Sequence, residues 1–106
     1  MEIREEKTRF LKGYLVFFAK IERFKEMCNM FPEKQNYYEL QIEKTREVIE
    51  KIEDSIKKVD DGILSEILFQ KYVLGRSLET ISYELNYSKR QIERLHIAAL
   101  EKLKIF

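Results

Sequence analysis

Three features of the sequence predict an all-α fold, in which an N-terminal long helical hairpin or coiled-coil arm precedes a C-terminal three-helix helix-turn-helix module. Apolar residues recur at threes, fours and sevens along most of the chain rather than in alternation. Glycine occurs three times and proline once in 106 residues, so helices can run long with few breaks. Ser77 and Ser88 each stand immediately before a short apolar-periodic run, the position of a helix N-cap. The arm is assigned residues 1–59 and the module residues 60–106.

Bulk composition limits the classes open to the chain. With 37% charged and 44% hydrophobic residues, it carries enough apolar surface for a modest core and none of the low-hydrophobicity signature of disorder. A formal net charge of +1 argues neither for nor against a nucleic-acid partner, because the charge is segregated only locally. Cys28 is the single cysteine, which excludes an intrachain disulfide and fits an apolar helix face. The uncharged run from Gly13 to Ala19 is too short to span a bilayer and is flanked by Lys12 and Lys20, so no membrane association and a cytoplasmic location are expected.

Residues 1–31 read as one amphipathic helix, with Ile3, Phe10, Tyr14, Phe17, Ile21, Phe24, Cys28 and Phe31 on its stripe and Leu11, Leu15, Phe18 and Met27 broadening it. Gly13 is a weak point there, costing about 1 kcal/mol against alanine. Pro32 ends this helix or opens the next, where its missing N–H does no harm. The seam of the second helix, Tyr38, Ile42, Thr45, Ile49, Ile52, Ile56 and Val59, steps by fours and threes as a coiled coil does. Either a hairpin on the first helix or pairing between two chains satisfies that seam. A hairpin arm that also forms a homodimer through residues 1–59 is the expectation, since two linked modules gain effective concentration on a shared ligand. Asp60-Asp61-Gly62 breaks the pattern, and a third helix from Ile63 to Leu74 follows, ended by Gly75 in a left-handed conformation.

Beyond Gly75 the two capped runs face each other. Leu78, Ile81 and Leu85 form the first stripe, and Ile92, Leu95, Ala99 and Leu103 the second. Asn86-Tyr87 is a compact joint in which Asn tolerates a left-handed backbone, and Ser82 is small enough to admit the second helix. Ser88 and Gln91 have the order of a capping box. Opposite the buried stripe lie Arg90, Glu93, Arg94, Ile97 and Lys104, with Lys89 beside them at the first turn. From Asn86 onward five bases face two acids.

The second helix of a helix-turn-helix enters the major groove of double-stranded DNA, where Arg and Lys donate to guanine O6 and N7. Lys89, Arg90 and Arg94 fall there and, with Glu93 on the same face, are the expected base contacts. Ser77, Tyr87, Ser88 and Lys102 suit phosphates, which fix register rather than sequence.

These residues carry a resemblance. Ser77, Leu78, Ile81, Leu85, Ser88, Ile92, Leu95, Ala99, Leu100, Lys102 and Leu103 meet the pattern of region four of the sigma-70 family of RNA polymerase sigma factors. The longer string, adding Tyr72, Gly75, Tyr87, Arg90, Arg94 and His96, more closely resembles small phage- and prophage-encoded transcriptional regulators of the ArpU/RinA type. Ser82 stands where those regulators usually have alanine. The resemblance implies a DNA-binding regulator of transcription and makes RNA polymerase a candidate partner. At 106 residues no room is expected for the promoter-melting domain of a sigma factor. Lys89-Arg90 also departs from the Arg-Glu pair usual after that family's cap, so the fold carries over but its promoter element does not.

No catalytic residues, metal ligands, cofactor or small-molecule substrate are expected. His96 is the only histidine; it lacks a nucleophile partner and reads as a flank residue. No phosphate loop or Cys/His cluster is present. The rival function is a protein-interaction adaptor that docks on polymerase or a sigma/anti-sigma-type partner without touching DNA.

Overall fold

The computed structural model describes residues 3–105. Five α-helices follow in order, with no strand among the described residues: α1 (Arg4–Met30), α2 (Gln35–Lys57), α3 (Gly62–Leu68), α4 (Leu78–Leu85) and α5 (Lys89–Lys102). The first two residues of the expected 1–31 helix lie outside the described region; what is described begins after Ile3 and ends at Met30. Pro32 opens a 3₁₀ turn, Pro32–Lys34, that reverses the chain into α2.

The α2 seam is used within the chain, so α1 and α2 form a hairpin. Near its tip, Phe24 stacks on Tyr38 at 6.2 Å, and the Cys28 thiol lies 3.9 Å from the Gln35 carbonyl oxygen. At its base, Leu11, Tyr14 and Ile21 of α1 meet Ile49, Ile52 and Ile56 of α2 in the main core. Leu11, read as broadening the α1 stripe, is fully buried, whereas Ile3 and Phe31, read as part of that stripe, are exposed. The inner face of α1 is set by what covers it, and beyond Leu11 the cover comes from α5 as well as α2.

Gly13 is more than a weak point. A Cβ built there would lie 2.8 Å from Cε2 of Phe17, so the ring of Phe17 occupies the space an alanine methyl would need. Lys20 in turn lies 5.4 Å from the Phe17 ring centroid.

The turn into α3 is fixed by side chains. Asp61 caps α3 by accepting from the Leu64 N–H at 3.0 Å, and the Ser65 hydroxyl donates to the Ile56 carbonyl at 3.0 Å. The third helix does not continue as an α-helix to Leu74, as its periodicity predicts; after Leu68 it widens into a π turn, Phe69–Val73. That turn buries Gln70 and Tyr72, and Gly75 ends it at φ 72°.

Two cores result. A small one of Ile67, Ile81 and Ile92, edged by Leu78, Leu85, Tyr87 and Leu95, joins α3, α4 and α5. The main one runs from Leu11 and Ile52 through Leu64 and Leu68 to Ala99, Leu100 and Leu103, so the segments before and after residue 60 share it. Lys7 is buried, and its Nζ donates to the Glu101 carbonyl at 3.1 Å, placing a cation on the last turn of α5 where the helix dipole favours one. The hairpin tip projects beyond this body: the radius of gyration is 16.3 Å, against about 13 Å for a compact chain of this length.

Candidate nucleic-acid interface

The local chemistry around α4 and α5 explains their geometry. Ser77 adopts extended backbone and its oxygen accepts from the Thr80 N–H at 3.1 Å. Asn86 ends α4 at φ 58°, ψ 40°, the left-handed conformation that turns the chain. Tyr87 N–H then donates back to the Ser82 carbonyl at 3.1 Å. Ser82 is itself buried, its hydroxyl donating to the Glu79 carbonyl at 2.6 Å. The capping box is complete: Gln91 N–H donates to Ser88 Oγ at 3.1 Å, and Ser88 N–H donates to Gln91 Oε1 at 2.9 Å.

This joint presents the first two turns of α5 to solvent. Lys89, Arg90, Glu93 and Arg94 are all exposed, and none makes a side-chain hydrogen bond or ion pair among the described residues. Ile97 lies on the same outer face, 36% exposed. It is suited to contact with a thymine methyl group. Behind this face, Ile92 and Ala99 are fully buried.

The expected phosphate contacts are not all brought together. Ser88 adjoins the basic turns. Ser77 stands at the opposite end of α4, beside Lys71 and Arg76. Tyr87 is half-buried, its ring against the small core. Lys102 lies at the far end of α5, roughly 20 Å along the axis from Lys89, in a cleft with Ser55, Lys58 and Asp60.

His96 is not a free flank residue. Its Nε2 lies 2.8 Å from the Tyr72 hydroxyl, and the two rings pack at 5.8 Å. Burial, and then the positive charges of Lys71 and Arg4, lower the imidazole pKa from 6.5 to about 4. Burial also raises the Tyr72 phenol above its ordinary value. Both groups are therefore neutral near pH 7, and which one donates follows from the imidazole tautomer. The pair ties the π turn to α5. Tyr83, 77% exposed on α4, is a further residue that the sequence reading passed over; its only signal is that it falls off the Leu78, Ile81, Leu85 stripe.

Among the described residues there is no group of three metal-ligating side chains and no helix long and apolar enough to cross a membrane. Comparison with protein-family models, with curated proteins and with solved structures finds no significant match to this chain.

Proposed function

We propose that the protein is a sequence-specific, DNA-binding regulator of transcription, of phage or prophage origin as the ArpU/RinA resemblance implies. The observation that carries this reading is the exposed and unpaired first two turns of α5, rich in Arg and Lys and held by a capped, tightly jointed helix pair. Arg90 and Arg94 reach guanine edges, Lys89 and Glu93 flank them, and Ser88 donates to the backbone as the helix enters the groove. Tyr87 offers its hydroxyl to a phosphate farther along, and the Ser77 hydroxyl, which donates to Thr80 Oγ1 at 3.0 Å, would exchange that partner for one. Lys102, by its position, serves a more distant phosphate or none.

The test is competition binding with fragments of the DNA upstream of and neighbouring the gene, at several salt concentrations. One fragment should be retained against excess unrelated duplex. Arg90→Ala should relax the preference at one or two base pairs, by roughly 1–3 kcal/mol if its contact is bidentate. A uniform loss across all sequences would reassign Arg90 to a phosphate. If folded protein prefers no fragment, the adaptor function on RNA polymerase takes its place.

The reading extends to a homodimer formed through the arm. Residues 22–48, the outer part of the hairpin, contain no buried side chain, yet Leu40, Tyr37 and Val48 are exposed there. A second arm would cover these groups and bring two recognition helices to one site. Light scattering should give twice the chain mass at tens of micromolar, a concentration range in which a monomer would end the proposal.

A further inference from the structure

We propose that the N-terminal arm itself grips DNA: Lys12 of α1, with Lys71 and Arg76, forms a second site that holds a backbone phosphate beside the start of α4. The inference rests on the DNA-binding reading above. Lys12, Lys71, Arg76 and Ser77 line one open concavity with Leu15 and Gly75, and no carboxylate lines it. Three cations on a concavity that no carboxylate lines repel one another, and an anion seated among them relieves that repulsion. None of the three makes an ion pair among the described residues.

The backbone creates this meeting. Gly75 has φ 72°, and a Cβ there would lie 3.4 Å from Cδ1 of Leu15, so the chain leaving the π turn runs close against α1. Lys12 is one turn before Leu15 on the same side of α1, which sets it beside Arg76 and Ser77. The Arg76 guanidinium is aimed by its hydrogen bond to Gln70 Oε1 at 3.3 Å, and Gln70 is held in turn by Glu66 at 2.7 Å. Lys71 stands over the Tyr72 ring, 5.7 Å from its centroid. Its charge also reaches His96, so the same lysine faces both the α4 start and the recognition helix. Contacts of this kind position a protein on the duplex without reading sequence.

The test uses the full chain and a fluorescein-labelled, mixed-sequence DNA duplex, with affinity followed by anisotropy across a salt series. Lys12→Gln should lower the steepness of log affinity against log salt by about one and leave the thermal midpoint unchanged, because Lys12 is exposed and unpartnered. Lys57→Gln, which removes an exposed charge from the last turn of α2 outside residues 22–48, should leave the steepness as it is. If Lys12→Gln binds with the wild-type salt dependence, or if Lys57→Gln loses as much, the arm contact is overturned and the recognition helix remains. If the wild-type chain does not bind the duplex, both fall together.

Discussion

At Tyr72 and His96, two residues that sequence inspection leaves unconnected prove to be one structural device. Their separation of 24 positions puts the contact beyond any periodicity argument, and Tyr72 meets the imidazole from within the π turn, where it is buried. A pH dependence follows. His96 has a folded pKa of about 4 against an ordinary 6.5. As pH falls between those values the unfolded chain takes up a proton that the folded chain refuses. The stability tied to this site is therefore complete above the unfolded pKa and is lost as pH drops towards the folded one. After discounting for partial solvent access, the loss amounts to about 2 kcal/mol. His96→Gln keeps a hydrogen-bonding group facing Tyr72 and removes the titration. Urea unfolding at pH 7 and at about pH 4 should show the variant losing less stability than the wild type. Equal losses would mean that His96 titrates normally.

At the scale of elements, what the sequence discloses is what is local. Ser77, Ser88 with Gln91 and Asn86 do in the structure what their side chains dictate within three or four residues, and Gly75 what its missing side chain allows. The exposed basic face of α5 is legible for the same reason, since Arg90 and Arg94 fall opposite a stripe that must be buried. Elements set by distant partners are not legible. Nothing near α1 tells that Leu11 rather than Ile3 is covered, or that Lys7 serves the last turn of a helix 94 positions away. The third helix shows the same limit: its apolar spacing through Val73 is compatible with an unbroken α-helix. Within the π turn, Gln70 and Tyr72 find partners in Arg76, Glu66 and His96, contacts that the spacing does not announce. Lys12 escapes notice likewise, because its place beside Lys71 and Arg76 comes from where Gly75 brings the chain back.

Across the whole molecule, the division into an arm and a module describes sequence order better than it describes cohesion. Ile52 of α2 and Leu100 of α5 belong to one buried cluster, so loosening either loosens both. Ile52 is fully buried, and Ile52→Ala should cost about 2–5 kcal/mol through lost burial and the cavity left behind. Because the core is shared, amides of α5 near Leu100 should lose protection by the same amount as those of α2 near Ile52, although the substitution is in the arm. Native-state hydrogen exchange followed by NMR reads both at once. The hairpin between residues 22 and 48, with no buried side chain in the single chain, should exchange at lower free energy in the wild type and respond little. Unchanged protection in α5 would show that the helix-turn-helix folds on its own. Common loss would show instead that α5 owes its rigidity to the arm, so that the contacts proposed for Lys12 and for Arg90 lie on one rigid frame.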